Sequence, residues 1–288
     1  MKIAYIHQKS VEEIAKRLSK KGHRVFIHPS FWRVIFQDFE IIHFLPSFSK
    51  TIIFLISIFK RKTALIRTEI PKGVDVSGAE NFEYLQKFNL QKGSYVLTVN
   101  QLNRKSNIKD VVEAFKSLED QHLTREKKLV IVGSGSLGDE YFKEIKDSAR
   151  GRESIIFIGD QNGEALNQLF SWAYCFVDPS AKNKMSQNVL EAMGYGKAVL
   201  VGNTKKNIET LDGEFGFIFQ LRNIKDLEEK LVFMINNPAL MKITGEKAML
   251  KIQREFSWEK ITNQIEINYE DALLQKGKAL NKPYERNI

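Results

Sequence analysis

The stretch VDPSAKNKMSQNVLEAMGYGKAVLVGN, residues 177–203, decides the fold. An apolar run over 175–177 leads into a polar loop, an apolar helical period follows over 187–195, and a second apolar run covers 198–201. A strand, a helix and a strand within so few residues predict a βαβ unit, and the strands of such a unit lie parallel in one sheet.

The same alternation of apolar runs and helical periods extends along the chain in both directions. The predicted strands are 2–6, 24–28, 40–44, 64–67, 95–99, 128–132, 155–158, 175–177 and 198–201. Residues 70–77, IPKGVDVS, contain Pro71 and Gly73 without a helical period and predict a loop or linker. The sequence therefore predicts an α/β fold of two unequal parallel-sheet halves, joined near residues 70–90.

The amino-acid composition agrees with two domains and indicates the cellular compartment. A chain of 288 residues is long enough for two domains of about 150 residues each. Apolar residues make up 43% and charged residues 27%, a mixture typical of a globular protein. The single cysteine, Cys175, excludes an intramolecular disulfide, and the start MKIAYIHQKS turns polar too early for a secretory signal. We expect a cytoplasmic protein, soluble or peripheral at the inner membrane face.

The chain is basic, with 44 Lys and Arg against 35 Asp and Glu and a formal net charge of +9. The excess is scattered in short clusters. Nucleic acid, an anionic membrane face and phosphate-bearing small molecules would all fit such a charge, and so would lysine faces that serve only solubility.

Residues 51–59, TIIFLISIF, form the longest apolar run and precede the cluster Lys60, Arg61 and Lys62. The run is far shorter than the ~18 residues that cross a bilayer. It predicts either a crossover helix buried on most sides, or a helix that dips its apolar side into lipid while the basic cluster meets anionic head groups.

A Gly-rich turn, VGSGSLG over 132–138, follows a predicted strand and precedes a predicted helix. Gly133 and Gly135 would let backbone N–H groups approach a ligand, and the helix N-terminus adds partial positive charge. The turn lacks the acidic residue about 20 positions further on that would bind a nicotinamide ribose. It predicts either one wall of a phosphate site or a tight strand-to-helix turn.

The polar loop of the opening stretch ends where Ser186 or Gln187 begins a helix. The unpaired N–H groups at that helix start, including Asn188, could hold a phosphate. Glu191 lies one turn further on a mostly apolar face, where a carboxylate is costly unless it accepts hydrogen bonds. A sugar or ribose diol would donate to both of its oxygens, and a local salt bridge or cap is the alternative.

The loop that begins at Asn100 follows another predicted strand and contains Arg104 and Lys105. Ligands of open α/β sheets bind outside the carboxyl ends of the strands, so these cations would point toward the same crevice as the two loops above. Two cations beside a diphosphate offset the charge that develops on a leaving group. An Arg-Lys pair that is merely solvated is the alternative.

Other chemistries find no support in the sequence. The five histidines show no metal-ligand spacing and no accompanying Asp/Glu cluster, so we expect no metal site. The sequence contains no G-x-S-x-G elbow, and Cys175 lies within an apolar strand, so nucleophilic catalysis is not expected. Trp32, Trp172 and Trp258 are too dispersed to form a base-stacking platform, and nucleic acid is not an expected partner.

The order of these segments resembles that of family 4 glycosyltransferases, which have the GT-B architecture of two Rossmann-type parallel-sheet domains. IPKGVD looks like the interdomain I-P-N-G-V-D of that family, and LVIVGSGSLG like its second Gly-rich turn. The opening stretch is similar to the donor-binding segment P-S…E-x7-E…E-A-M-A-x-G-x-P-V. FSWEKITNQIEINYEDAL resembles the closing helix that crosses back onto the first domain.

The resemblance also implies domain limits. A reduced amino-terminal, acceptor-side domain would cover 1–75, and a nucleotide-sugar-binding domain would cover 76–265. A carboxyl-terminal helix and tail over 266–288 would cross back onto the first domain.

Such enzymes move a sugar from a nucleotide diphosphate donor to an acceptor with retention, usually without a metal. The resemblance therefore implies transfer of a hexosyl unit to a glycan or lipid-linked acceptor, with no cofactor besides the donor substrate. The residues it implies in donor binding are Arg104, Lys105, Gly133, Gly135, Asn183, Ser186, Gln187, Asn188 and Glu191. Glu191 would hold the donor ribose and Lys105 the diphosphate, and no catalytic residue is implied.

The sequence departs from the family pattern at several positions. Asn183 stands where the first glutamate of E-x7-E is expected, and it can hydrogen-bond a hydroxyl but carries no charge. Gln101 stands where G-R-L has its arginine, so that Arg104 would have to reach the diphosphate instead. The first half lacks a Gly-rich loop after its first strand. These departures leave a second interpretation open, a non-catalytic nucleotide-sugar-binding module that acts with a protein partner.

Overall fold

The structure is a computed structural model that forms two compact units, Met1–Gly73 with Ser257–Ile288, and Val74–Phe256. Each unit is built on one parallel β-sheet, so the predicted α/β class with two parallel-sheet units is confirmed. The residues that the structure describes are 1–6, 11–27, 29, 33–34, 37–44, 49–60, 63–67, 73–74, 76, 78–135, 140–182 and 184–280.

Strands and helices alternate through most of the described residues. The strands are β1 (Lys2–Ile6), β2 (Arg24–Ile27), β3 (Ile41–Phe44), β4 (Ala64–Arg67), β5 (Tyr95–Val99), β6 (Lys128–Val132), β7 (Ile155–Gly159), β8 (Cys175–Asp178), β9 (Val199–Gly202) and β10 (Phe217–Phe219). The helices are α1 (Glu12–Lys20), α2 (Lys50–Phe59), α3 (Glu83–Gln86), α4 (Ile108–Asp120), α5 (Glu140–Ser148), α6 (Gly163–Trp172), α7 (Gln187–Gly194), α8 (Lys205–Leu211), α9 (Ile224–Asn236), α10 (Pro238–Glu255) and α11 (Trp258–Leu280). Each predicted strand is present with its ends moved by one residue or none, and β10 is additional.

The first unit has a four-stranded sheet in the order β2-β1-β3-β4. Helix α1 forms because Ile14, Ala15 and Leu18 recur at helical spacing and bury one face against the sheet. Helix α11 covers the same core with Ile261 and Ile265. The carboxyl-terminal helix is therefore a structural part of the first unit.

Helix α2 packs against the first sheet, which agrees with the buried-crossover interpretation of its apolar run. Ile56 is buried, and Ile53 packs beside it in the same core. Lys60 is only 6% exposed and donates from Nζ to the carbonyl of Gln37 at 2.9 Å, because a buried ammonium needs hydrogen-bond acceptors in place of water. Lys60 is therefore not available to lipid head groups, and its neighbours Arg61 and Lys62 lie outside the described residues. Among the described residues, no helix combines the length and the apolarity that crossing a bilayer requires.

The unit boundaries differ from those we expected at residues 75 and 265. Ile265 lies within helix α11 and is buried in the first unit, so the second unit ends before that helix, at Phe256. The chain leaves the first unit at Gly73 and returns to it at Ser257, and these two segments lie close together. A Cβ added to Gly73 would lie 2.5 Å from the ring of Trp258 and 2.7 Å from its Cα. Only glycine fits such a close approach.

A buried network of hydrogen bonds links helix α11 to the first sheet. The Tyr269 hydroxyl donates to the Tyr5 hydroxyl at 2.9 Å and lies 2.7 Å from Nδ1 of His43. All three side chains are buried, and burial raises the pKa of the Tyr5 hydroxyl to about 12. These hydrogen bonds join β1, β3 and α11 through neutral hydroxyls.

The second unit has a six-stranded parallel sheet in the order β10-β9-β8-β5-β6-β7. The chain runs outward from β5 through β6 to β7, then returns to place β8 on the other side of β5. Two apolar cores cover the faces of the sheet, one including α4 and α9 and the other including α6 and α7. Sheets that reverse their strand order in this way bind ligands outside the carboxyl ends of the strands at the switch point, here between β5 and β8.

We expect Tyr269→Phe to destabilise the first unit, because it removes the hydroxyl that partners Tyr5 and His43. A buried polar group left without a partner costs about 1–3 kcal/mol. Urea unfolding followed by circular dichroism should show a lower midpoint for this variant. Tyr84→Phe is the control, since the hydroxyl of Tyr84 makes no hydrogen bond to any described residue. Equal midpoints for the two variants would contradict the role assigned to Tyr269.

Candidate functional site

The switch point of the second sheet is closed by a hydrogen bond between two strand ends. Asn100 follows β5 and donates from Nδ2 to Oδ1 of Asp178, at the end of β8, over 3.2 Å. The same oxygen accepts from the backbone N–H of Ser180 at 3.0 Å. Asp178 is 2% exposed and Asn100 is 8% exposed. The crevice between β5 and β8 thus has a polar floor that is held in place by its own hydrogen bonds.

The Gly-rich turn after β6 packs directly on Asn100. The backbone N–H of Asn100 donates to the Val132 carbonyl at 3.0 Å, and that of Leu102 donates to the Ser134 carbonyl at 3.0 Å. Gly133 has φ 136°, and a Cβ added to it would lie 1.8 Å from the carbonyl oxygen of Asn100. Backbone packing therefore explains this glycine by itself.

Gly135 lies against helix α5, where a Cβ would come within 2.5 Å of the Phe142 ring. Both predicted glycines are thus explained as parts of a tight strand-to-helix turn. The contact of either glycine with a ligand stays a prediction.

Asn103 and Asn107 shape the loop after β5, and Asn107 links it to the loop after β8. Asn103 accepts from the backbone N–H of Lys105 at 3.0 Å and starts the 3₁₀ turn Arg104–Ser106. Asn107 takes the left-handed conformation with φ 52°, and its Nδ2 donates to the Pro179 carbonyl at 2.9 Å. The loops on both sides of the switch point are therefore held together.

The two cations of this loop differ in their surroundings. Arg104 donates to Glu144 of α5 at 3.2 Å, and its guanidinium lies 5.6 Å from the centre of the Tyr141 ring. Lys105 is exposed, and its side chain makes no hydrogen bond or ion pair with any described residue. Lys105 is therefore available to an anionic ligand, whereas Arg104 would first have to leave Glu144.

The start of helix α7 also faces the end of β5. Ser186 has extended backbone angles and makes no side-chain cap to the helix that the structure describes. Asn188 donates from Nδ2 to the Val99 carbonyl at 2.7 Å, which fastens the helix start to strand β5. The structure thus brings the N-terminus of α7 to the same strand edge as Lys105, while Asn183 lies outside the described residues.

Glu191 lies one turn into α7 and is partly buried. Its Oε1 accepts from Nε2 of Gln187 at 3.2 Å, so the carboxylate is oriented from within the helix. Its charge acts on Tyr195, whose pKa rises to about 12 because of burial and the carboxylates of Glu191 and Glu164.

Sequence reasoning missed Asn100 and Asp178 as site residues. Each is a polar residue placed directly at the end of an apolar strand, and that position was the available signal. A buried carboxyl is costly unless it accepts hydrogen bonds, and Asp178 accepts two of them. In the described part of the chain, no group of three or more His, Cys, Asp and Glu side chains could hold a metal ion.

The chain belongs to the family of glycosyl transferases group 1, whose family model matches residues 81–251. An uncharacterised glycosyltransferase of Methanocaldococcus jannaschii is 23% identical over 207 residues, which cover 71% of this chain and 52% of that protein. O-antigen chain mannosyltransferase B of Escherichia coli is 23% identical over 188 residues, covering 65% of this chain and 49% of the relative. The chain thus spans about half the length of these curated relatives.

The fold has close counterparts among solved structures. HepE of Anabaena, solved in complex with UDP and glucose, superposes with a TM-score of 0.69 at 15% identity. The superposition covers 94% of this chain and 100% of the Anabaena chain. The resemblance to group 1 glycosyltransferases of GT-B architecture is therefore confirmed.

We expect Gly133→Ala to destabilise the second unit. Alanine would place its Cβ against the Asn100 carbonyl at a φ that only glycine adopts readily. Strained backbone of this kind costs on the order of 1–3 kcal/mol before any clash is counted. Gly78→Ala is the matched control, since a Cβ there meets nothing within 4 Å. A urea midpoint for Gly133→Ala that equals the control's would contradict this account of the turn.

Proposed function

We propose that the protein transfers a hexosyl unit, with retention, from a nucleotide diphosphate sugar to a glycan or lipid-linked acceptor. The observation that carries the proposal is the position of the α7 start at the switch point of the second sheet, where Asn188 donates to the Val99 carbonyl at the end of β5, the strand that leads into the loop of Lys105. Membership of the group 1 glycosyltransferase family supports it. So do the complex of the Anabaena protein with UDP and glucose and the name of the E. coli mannosyltransferase.

Each predicted donor residue has a role in this proposal. The N–H groups at the start of α7, from Ser186 to Asn188, support the phosphate end of the donor through the positive end of the helix dipole. Lys105 contacts the diphosphate, and Glu191 accepts hydrogen bonds from the ribose hydroxyls. Asn183 hydrogen-bonds a sugar hydroxyl, and Gly133 and Gly135 line the crevice.

The Asp178 carboxyl in the floor of the crevice favours one orientation of the donor. The Asp178 carboxyl is buried beside Asn100 and accepts hydrogen bonds from Asn100 and from the Ser180 N–H, and no described cation pairs with it. A diphosphate directly above this carboxylate would be repelled, whereas hydroxyl groups could donate to it. The diphosphate therefore lies toward Lys105 and the α7 start, and the sugar or ribose hydroxyls lie toward Asn100 and Asp178.

The reaction breaks the bond between the anomeric carbon and the diphosphate oxygen, and the nucleoside diphosphate leaves with the electron pair. The acceptor oxygen forms the new bond on the face of that carbon from which the diphosphate departs, which gives retention, and its proton passes to the departing diphosphate oxygen. Lys105 and the α7 start stabilise the negative charge on the leaving diphosphate. These groups belong to the chain itself, so the proposal needs no metal or further cofactor. No residue is assigned to the proton transfer.

A second candidate function is a non-catalytic nucleotide-sugar-binding module that acts with a protein partner. It is favoured by the pairing of Arg104 with Glu144 and by the uncharged Gln101, which leave Lys105 as the available cation of the described loop. A single lysine stabilises a leaving diphosphate less than two cations would.

The proposal places the protein in the cytoplasm, with a peripheral contact at the inner membrane face. Such a contact through α2 would use Ile52, which is 37% exposed, because Ile56 and Lys60 are buried. A lipid-linked acceptor would be reached from that position.

We expect Glu191→Gln and Lys105→Ala each to weaken nucleotide-sugar binding by more than about tenfold, or about 1.4 kcal/mol. The first substitution weakens an acceptor of ribose hydroxyls, and the second removes a cation from the diphosphate. Calorimetric titration with UDP-, GDP- and ADP-sugars measures the loss. Lys242→Ala and Glu246→Gln are matched controls, since both side chains are exposed on α10.

Product analysis with candidate acceptors separates the two functions. Binding followed by sugar transfer or hydrolysis supports the enzyme, and binding with no turnover on any acceptor or water favours the non-catalytic module. Titration curves that are unchanged in Glu191→Gln and Lys105→Ala would show that the donor site lies elsewhere.

A further inference from the structure

The net charge of the chain lies entirely in the first unit. The segments Met1–Gly73 and Ser257–Ile288 hold 19 Lys and Arg against 10 Asp and Glu, whereas Val74–Phe256 holds 25 of each. The whole excess of +9 therefore belongs to the first unit. The proposed donor site does not account for it, because that site lies in the neutral second unit.

Part of this excess is concentrated on one face of helix α1. Lys16, Arg17 and Lys20 recur at spacings that place them on the same side of the helix, and Lys21 continues the row. These four cations outnumber the two carboxylates, Glu13 and Glu259, in the lining of a groove between α1 and α11 with a volume of about 340 Å³, and Thr262 and Asn263 complete the lining from the α11 side. The four cations therefore border the same groove.

Two of the four cations are already paired. Arg17 donates from Nε to Oε1 of Glu13 at 2.6 Å. Lys21 donates from Nζ to Oε2 of Glu266 at 2.5 Å and to Oδ1 of Asn263 at 2.8 Å. The bond to Lys21 engages the oxygen of Asn263 and leaves its amide N–H groups to donate elsewhere.

The other two cations have no partner in the described part of the chain. Lys16 and Lys20 make no hydrogen bond or ion pair with a described residue, although Glu259 lines the same groove. Like charges four residues apart on a helix repel each other. The helix dipole favours cations near the end of α1, but it does not require them to converge on a groove. An anionic ligand would relieve the repulsion.

We propose that the groove between α1 and α11 binds a phosphate-bearing ligand. Lysine ammonium groups bind phosphate as point charges, and the Asn263 amide adds a hydrogen-bond donor. The volume lies at the lower end of the range of about 300–1,000 Å³ found for small-molecule sites. The ligand is the head group of an anionic phospholipid or a phosphate ester in solution, which share this chemistry.

The groove is separate from the ligand edge of the first sheet. Lys20 and Lys21 lie at the end of α1 that leads into strand β2, which is the amino edge of the parallel sheet. Open α/β sheets bind substrates at the opposite, carboxyl edge. The groove is therefore an additional site and not the acceptor crevice.

The test uses the full chain and the double variant Lys16→Gln/Lys20→Gln. The probes are glycerol 3-phosphate, titrated calorimetrically at low ionic strength, and phosphatidylcholine vesicles with and without phosphatidylglycerol, scored by co-sedimentation. We expect the double variant to bind its probe at least about tenfold more weakly than the unmodified chain. Lys225→Gln/Lys242→Gln is the control, because it removes the same charge from exposed positions on α9 and α10 of the second unit.

The outcomes distinguish the two sources of phosphate. Binding of glycerol 3-phosphate identifies a soluble phosphate ester, and binding confined to phosphatidylglycerol vesicles identifies a lipid head group. Either result supports the proposal if the groove variant loses it and the control keeps it. The proposal is overturned if the unmodified chain binds neither probe, or if both double variants lose binding equally.

Two further measurements keep the result interpretable. Thermal unfolding of the groove variant should occur at the same temperature as in the unmodified chain or slightly above it, because Lys16 and Lys20 make no hydrogen bond or ion pair with a described residue and their mutual repulsion is removed. Lys105→Ala should leave binding at the groove unchanged, so failure of the groove proposal would not be confused with failure of the donor site.

Discussion

The backbone carbonyl of Asn100 occupies the space that any side chain at residue 133 would need. Because Gly133 has no Cβ, the chain after β6 can pass directly by the end of β5, and the N–H of Asn100 can donate to the Val132 carbonyl. The side chain of Asn100 then reaches across the switch point to Asp178. One residue thereby fixes the ends of three neighbouring strands.

A comparable buried constraint holds the first unit together. Helix α11 belongs to that unit because Tyr269 bonds to Tyr5 and contacts His43, and because Trp258 packs on Gly73. The whole second unit is thus an insertion in the chain between β4 and α11. The first unit cannot complete its core until the chain has returned from the second, so its folding depends on contacts between residues far apart in sequence.

The sequence predicted those parts of the fold that local pattern determines. Nine of the ten described strands are apolar runs of four or five residues, which is long enough to be recognised in the sequence. The tenth, β10, has only three residues and is too short to be recognised. Long-range pairing could not be predicted in the same way. The partner of Arg104 is Glu144, forty residues further on, and the buried ammonium of Lys60 donates to the carbonyl of Gln37, 23 residues earlier. The assignment of residues 257–265 to the first unit likewise depends on which core receives a helix, not on the helical pattern itself.

The charge distribution separates two kinds of recognition. In the second unit positive and negative residues balance, so a nucleotide diphosphate would be held by local geometry, through N–H groups and one lysine, and little by a general field. In the first unit the excess of cations creates a field that extends into solvent and attracts anions before any specific contact forms. Salt screens such a field over about 10 Å at moderate ionic strength. An anion drawn to the first unit should therefore be more sensitive to salt than one held by local geometry in the neutral second unit.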